Sequence, residues 1–221
     1  MACTSADAFL CPHMPSFIYL ASQSPRRQEL LRQFGIAFEL LLADEEENAE
    51  ALEAVQPRES PRHYVLRVTA LKAGAAILRM RRRALPFAPL LVADTTVALG
   101  RRILGKPLDA QHATQMLAML SGRTHRVLTA VGVTDGRRLE LALSESRVSF
   151  RGLTVDEIDA YVASGEPFGK AGAYAIQGRA SAVAAHISGS HSGIVGLPMF
   201  ETAALLRSFE VKPVAALQSR P

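Results

Sequence analysis

The sequence contains few cysteine, lysine and aromatic residues, and these shortages exclude several classes of protein. Its 221 residues include two cysteines, Cys3 and Cys11, which cannot build a disulfide framework or a four-cysteine zinc site. Tryptophan is absent and aromatic residues make up 6%, so a base-stacking surface for single-stranded nucleic acid is not indicated. No uncharged apolar run approaches the roughly 20 residues that cross a bilayer. We therefore expect a cytoplasmic protein without a membrane or nucleic-acid partner.

Apolar residues make up 48% of the chain and charged residues 21%, a balance typical of a folded protein with a real core. The net charge is +4, a modest excess that does not by itself indicate nucleic acid. Residues 1–16 show no periodicity and contain no lysine or arginine, unlike a signal or transit peptide. We interpret them as a flexible N-terminal extension.

Short β-prone runs alternate with helical patterns, so we predict an α/β fold with a mixed twisted sheet and flanking helices. Predicted strands cover residues 17–21, 90–99 and 181–187, and a hairpin turning at Asp135-Gly136 pairs 123–133 with 139–150. Capping residues and prolines predict helices over roughly 25–34, 61–83, 109–121, 154–164 and 198–209. The acidic segment 39–60 is expected to be irregular.

Arg26 and Arg27 lie in the first turn of the first predicted helix, where cations are unfavourable. The helix dipole already places partial positive charge at this end, and free backbone N–H groups point out of it. An anion removes this conflict, so the pattern favours a phosphate gripped by two guanidinium groups at a helix N-terminus. The alternative is that the arginines pair with Glu29 or with the acidic loop.

Asp94 interrupts the apolar strand predicted over residues 90–99. A carboxylate inside such a strand is costly unless it is paired or bound to a metal. At the end or edge of a parallel strand, it would face a ligand cleft. The alternative is a structural aspartate hydrogen-bonded to the backbone.

Lys72 and Lys106 are two of only four lysines in a chain with 25 basic residues. Small residues follow Lys72 in its helix, and Lys106 lies in a turn after the Asp94 strand, so both could reach phosphate oxygens as point charges. The acidic loop 44–47 is typical of a solvated turn, but beside Asp94 and a triphosphate it could supply a carboxylate to Mg²⁺. The basic tract 79–83 indicates a solvated helix end rather than a polyanion site.

Several other catalytic motifs are missing from the sequence. It contains neither a P-loop nor a dinucleotide-binding glycine pattern. Segment 189–193 lacks the spacing of a nucleophile elbow, and the six histidines form no pair on one helix that would indicate zinc.

Six ordered motifs resemble the Maf family of nucleotide pyrophosphatases over about residues 17–209. They are LASQSPRRQELL from Leu20, LKA from Leu71, VADT from Val92, GKP from Gly105, AGAYAIQG from Ala171 and IVGLP from Ile194. The resemblance implies a single domain over 17–209, a C-terminal tail over 210–221 and an inosine triphosphatase-like fold with two lobes around a cleft. The chain departs from the family at His191, where a tyrosine is common.

The resemblance implies metal-dependent hydrolysis of a nucleoside triphosphate to its monophosphate and pyrophosphate, often by a homodimer. Asp94 matches the general base of the family. Glu47 matches the last acid of the family's acidic pair and would bind the divalent cation with Asp94; Mg²⁺ is expected, with Mn²⁺ and Co²⁺ as alternatives. The positions that match phosphate-binding residues are Arg26, Arg27, Lys72 and Lys106.

Segment 174–178 resembles the branch of the family that acts on dTTP and UTP, and Arg26, Thr95 and Gln177 match the positions that separate the branches. An amide such as that of Gln177 offers both a donor and an acceptor to a pyrimidine edge.

Two alternatives to this function stay open. One is the same chemistry on 7-methyl-GTP or another non-standard nucleotide, and the other is a nucleotide-binding regulator of cell division without turnover.

Overall fold

The computed structural model describes residues 17–44, 47 and 49–211. The predicted extension over residues 1–16 lies outside these ranges, as does the predicted tail over 210–221 apart from its first two residues. The strands are β1 (Ile18–Leu20), β2 (Phe38–Leu40), β3 (Leu90–Leu99), β4 (Arg102–Leu104), β5 (Thr124–Thr134), β6 (Leu139–Phe150) and β7 (Ala184–Ser188). The α-helices are α1 (Pro25–Gln33), α2 (Pro61–Arg82), α3 (Ala110–Leu120), α4 (Val155–Ala163), α5 (His191–Val195) and α6 (Met199–Ser208).

The seven strands of the described chain form one mixed sheet in the order β2-β1-β3-β5-β6-β7, with β4 paired to β3. β1 runs parallel to both β2 and β3. The long strands β3, β5 and β6 are antiparallel neighbours, and β7 extends this part of the sheet. The predicted α/β class and mixed sheet are therefore confirmed.

Local sequence signals account for most element boundaries. Asp109 accepts the backbone N–H of His112 at 2.7 Å, and Thr154 and Glu157 form the predicted capping box of α4. Three short elements, β2, β4 and α5, were not predicted, because segments of three to five residues leave little periodicity to detect. No helix among the described residues is long and apolar enough to cross a membrane.

Both faces of β3 are covered, so its two alternating sets of side chains lie in different environments. Leu91 and Ala93 pack in one hydrophobic cluster with α1 and α6, whereas Leu90 and Val92 pack in another with α2. Successive side chains of a strand point to opposite faces. Asp94 therefore continues the face toward α2, and Thr95 continues the opposite face.

The edge of β3 is interrupted at its centre, and a pocket opens at this interruption. β1 pairs only with Leu90 and Leu91, because it ends at Leu20. β4 pairs only with the other end of β3, from Val97 to Leu99. No strand of the described ranges pairs on this side with the residues between these two pairings. The sheet therefore opens there, at the carboxyl end of β1, where α/β sheets commonly bind ligands.

The buried His125 contacts Tyr174, a residue in the wall of this pocket. His125 is 1% exposed, and its Nε2 lies 2.8 Å from the hydroxyl of Tyr174. Phe150 packs edge-on against both rings. Burial lowers the pKa of His125 to about 4, although a weaker interaction with the backbone of Arg123 acts in the opposite direction.

We expect the burial of His125 to make the protein less stable in mild acid. Between its ordinary pKa of 6.5 and the native value of about 4, the unfolded chain takes up a proton that the native ring does not. This one group should therefore lower the free energy of unfolding by up to about 3 kcal/mol as the pH falls through that window. His125→Gln keeps a hydrogen-bonding group for Tyr174 but does not titrate.

Urea unfolding of both proteins at several pH values between 7 and 4 tests this expectation. The His125→Gln variant should show a shallower loss of stability, by the contribution of one proton. Equal slopes for the two proteins would contradict the assignment.

Candidate active site

The interrupted edge of β3 opens into a cavity of about 590 Å³. The turn after β1, the start of α1, the middle of β3 and segment 169–177 contribute to its wall. All but one of the predicted site residues line it; these are Arg26, Arg27, Lys72, Asp94, Thr95, Lys106 and Gln177. The exception is Glu47. The tertiary structure thus brings together residues that are separated by up to 151 positions in the chain.

Asp94 forms an ion pair with the lysine predicted to bind phosphate. Lys72 on α2 donates to Asp94 Oδ1 at 2.6 Å, and Thr96 donates a longer hydrogen bond to Oδ2 at 3.4 Å. The side chain of Asp94 is 9% exposed. Both partners are side chains, so the alternative of an aspartate hydrogen-bonded to the backbone is not what the structure shows.

The ion pair continues through Glu53 to the second lysine. Lys72 also donates to Glu53 Oε1 at 2.8 Å, and Lys106 donates to Glu53 Oε2 at 2.9 Å. The result is a continuous row of alternating charges, Asp94, Lys72, Glu53 and Lys106, which we call the lysine–carboxylate chain. Glu53 also lines the cavity.

Glu53 is not among the site residues that the sequence predicts. It is one of several acids in segment 44–53, and nothing in its immediate neighbours distinguishes it from the others. It lies at the end of a short 3₁₀ helix, Ala49–Glu53, where Tyr64 donates its hydroxyl hydrogen to the Glu53 carbonyl oxygen at 2.9 Å. Burial acts to raise the pKa of Glu53, but the charges and hydrogen bonds of Lys72 and Lys106 outweigh it and hold that pKa below its usual range.

Arg27 holds three parts of the site together. Its guanidinium donates to the carbonyl of Gly196 at 2.8 Å, to Ser22 Oγ at 3.0 Å and to Thr95 Oγ1 at 3.4 Å. Thr95 is tied in turn to Thr129 on β5 at 3.0 Å. Burial has the largest effect on the pKa of Arg27 and lowers it, whereas the negative charge of Asp94 acts in the opposite direction. Arg27 therefore lines the cavity but is already engaged with neutral oxygens.

Arg26 has no acidic partner among the residues that the structure describes. Burial lowers its pKa, and it lies near two other cations, Arg27 and Lys170. Glu29, which could have paired with it, contacts Arg32 and Gln33 instead. This concentration of positive charge at the start of α1 favours an anionic ligand.

Segment 171–177 is held against the sheet, and Gln177 lies at its end. Gly172 has a positive φ of 71°, and a Cβ there would lie 2.8 Å from the side chain of Val97. The backbone N–H of Ala175 donates to the Tyr161 hydroxyl at 3.2 Å. Because its backbone is anchored, this segment can present the exposed amide of Gln177 to the cavity in a defined position.

Glu47, the predicted second metal ligand, contacts two arginines of α2. It accepts hydrogen bonds from Arg79 at 2.9 and 2.5 Å and from Arg82 at 2.8 Å. The hydrogen bond with Arg79 is the main reason why the pKa of Glu47 falls to about 2. Its role as a metal ligand stays a prediction. The described residues contain no group of three or more histidine, cysteine or acidic side chains that could hold a metal on their own.

The interpretation of tract 79–83 as a solvated helix end is wrong for its first residue. Arg79 is 6% exposed and also donates to the carbonyl of Leu41 at 2.8 Å. Arg82 and Arg83 both pair with Asp44. Three arginines of the tract therefore pair with two acids of the acidic loop, which periodicity within α2 could not reveal.

The family model described as Maf-like protein matches residues 17–209. This chain belongs to that family.

Several curated relatives are similar to almost the whole chain. Proteins from Albidiferax ferrireducens and Cupriavidus pinatubonensis are each 62% identical over 199 residues, which is 90% of this chain and all of theirs. A protein from Ralstonia nicotianae is 64% identical over 197 residues, 88% of this chain and 93% of its own. Each of the three is named a dTTP/UTP pyrophosphatase.

Replacing Glu47 by glutamine should destabilise the fold, because the buried Arg79 would lose its charged partner. We expect the free energy of unfolding to fall by about 1–3 kcal/mol. Glu29→Gln is the matched control, since Glu29 pairs with Arg32 at the surface and such pairs contribute about 0–1 kcal/mol. Thermal and urea unfolding measure both effects. If the two variants are equally stable, the contact between Glu47 and Arg79 does not support the loop.

Proposed function

We propose that this protein hydrolyses dTTP and UTP to the monophosphate and pyrophosphate and so cleans the nucleotide pool of the cytoplasm. The observation that carries the proposal is that one cavity is lined by the lysine–carboxylate chain, which includes Asp94, and also by Arg26 and Gln177. The family membership and the names of the relatives support the same reaction.

The charges of the cavity suit a triphosphate. Arg26 lies at the N-terminus of α1, where free backbone N–H groups and the helix dipole also favour an anion. Lys72 and Lys106 reach the cavity from other parts of the chain and supply further cations. Such preorganised charges stabilise the transition state, because negative charge shifts from the α-phosphoryl group to the leaving pyrophosphate.

Asp94 is the group best suited to act as the general base. It would take a proton from a water molecule that attacks the α-phosphorus, while the bond from that phosphorus to the bridging oxygen breaks and pyrophosphate leaves. Lys72, whose Nζ lies 2.6 Å from Asp94 Oδ1, would hold the carboxylate in place. Its ammonium group would also stabilise the negative charge that develops on the phosphate. Arg27 would keep Thr95 and the turn after β1 in position rather than carry most of the phosphate charge.

The residues present fit a divalent cation of the Mg²⁺ type, with Mn²⁺ and Co²⁺ as alternatives. Mg²⁺ needs only one or two protein carboxylates when phosphate oxygens and water complete its coordination. Asp94 would hold it, with Glu47 as the second predicted ligand if that carboxylate leaves its arginine partners. A bound cation would neutralise phosphate charge and orient the triphosphate.

A homodimer, which the family resemblance implies, is part of the proposal.

Asp94→Asn should abolish most of the turnover of dTTP and UTP, since loss of a positioned general base typically costs about 10²–10⁴-fold in rate. Nucleotide binding should stay measurable because the cations remain. Pyrophosphate release from dTTP, UTP, 7-methyl-GTP and ITP measures both rate and base preference. Asp159→Asn, an exposed change on α4, is the matched control. Near-normal turnover by Asp94→Asn would remove it as the base, and failure of the unmodified protein to hydrolyse dTTP or UTP would overturn the proposed function.

Gln177→Ala should weaken recognition of the pyrimidine without disabling the chemistry. Loss of hydrogen bonds to the base should raise the KM for dTTP and UTP about tenfold, with a smaller change in kcat, as expected for an interaction made equally in ground and transition states. Gln111→Ala, an exposed change at the start of α3, is the control. An unchanged KM for both nucleotides would show that Gln177 does not read the base.

A further inference from the structure

Glu166 is not one of the residues that line the cavity, yet its carboxylate is linked to both sides of Gln177. Its Oε1 accepts the hydroxyl hydrogen of Tyr161 at 2.8 Å, and its Oε2 accepts the backbone N–H of Arg179 at 3.1 Å. The Tyr161 hydroxyl oxygen in turn accepts the backbone N–H of Ala175 at 3.2 Å. Ala175 lies two residues before Gln177 and Arg179 two residues after it, so one carboxylate connects the two flanks.

Gln177 occupies the third position of a tight turn over residues 175–178. The turn is closed by the backbone N–H of Gly178, which donates to the carbonyl of Ala175 at 3.0 Å. Ala175 and Ile176 are buried, whereas Gln177 is exposed. A Cβ on Gly178 would collide with the carboxylate of Glu166, so the turn and the carboxylate lie in direct contact. This contact blocks a shift of the turn in that direction.

Glu166 is itself held on both sides. Its backbone N–H donates to Ser164 Oγ at 3.3 Å, and its carbonyl accepts a hydrogen bond from Lys170 Nζ at 2.5 Å. Burial is the main reason why the pKa of Tyr161 is raised, and Glu166 raises it further, although the N–H of Ala175 acts in the opposite direction. Tyr161 therefore keeps the hydrogen that it donates to Glu166.

We propose that Glu166 is a positioning residue for base recognition, which acts through Tyr161 and the backbone of Arg179 to hold the turn that presents Gln177 to the nucleobase. The inference rests on the proposed function. An ionised carboxylate only accepts hydrogen bonds, so its two oxygens can serve both donors at once. Hydrogen bonds to a base form only within a narrow range of distance and angle. A loosened turn would therefore lower the fraction of the protein that is competent to bind the base.

Two variants loosen the turn without changing a residue of the cavity wall. Glu166→Gln leaves one acceptor oxygen for two donors, and Tyr161→Phe removes the acceptor for the N–H of Ala175. We expect each to raise the KM for dTTP and UTP about fivefold, with a smaller change in kcat. Glu145→Gln is the matched control, because it removes one negative charge from an arginine pair outside the cavity and should change neither parameter.

Combination with Gln177→Ala separates positioning from a general structural role. If Glu166 acts through Gln177, Glu166→Gln should add nothing to the roughly tenfold rise in KM expected for Gln177→Ala. Independent effects would multiply to about fiftyfold and would overturn the inference. An unchanged KM in Glu166→Gln and Tyr161→Phe, an unchanged KM in Gln177→Ala, or a fall in kcat larger than the rise in KM would also overturn it.

Hydrogen exchange of backbone amides, followed by NMR without nucleotide, tests the holding of the turn apart from turnover. We expect faster exchange at Ala175 in Tyr161→Phe, and at Ala175 or Arg179 in Glu166→Gln. Unchanged exchange rates in both variants would overturn the inference. Failure of the unmodified protein to hydrolyse dTTP or UTP would instead overturn the proposed function, and the exchange rates would still decide whether Glu166 holds the turn.

Discussion

The ion pair between Asp94 and Lys72 is the interaction on which the candidate site depends. A carboxylate in the middle of an apolar strand cannot be tolerated without a partner, and α2 supplies that partner at 2.6 Å. The same contact fixes α2 against β3 and brings its lysine into the cavity. Since the pair is only 9% exposed on the aspartate side, it retains a strength that a surface pair would lose to water.

The geometry of β3 also determines where the neighbouring site residues lie. Alternation along β3 directs Asp94 toward α2 and Thr95 toward α1, where it meets Arg27. The end of β1 at Leu20 leaves the centre of β3 without a neighbour, so both side chains border the same opening. Chemistry on phosphate and positioning of the nucleotide can thus be served by adjacent residues that point in opposite directions.

Site residues could be predicted from the sequence where a residue conflicted with its local setting. Asp94 in an apolar strand and Arg26 at a helix N-terminus were both identified in this way, and both line the cavity. Residues in an ordinary setting could not be predicted in this way. Glu53 is one acid among several, and Arg79 begins a basic tract. Yet Glu53 joins two lysines, and Arg79 is buried against Glu47.

The sequence by itself determined the class of fold, most element boundaries and the family, because caps, turns, periodicity and ordered motifs are local properties of the chain. Only the tertiary structure decided which charges meet. The ion pair between Glu53 and Lys106 joins residues that are 53 positions apart in the chain. In the sequence alone, the carboxylates of segment 44–53 are chemically alike, and only folding selects the one that meets Lys106. Packing of α2 and of the short 3₁₀ helix against the opened edge of β3 makes that selection.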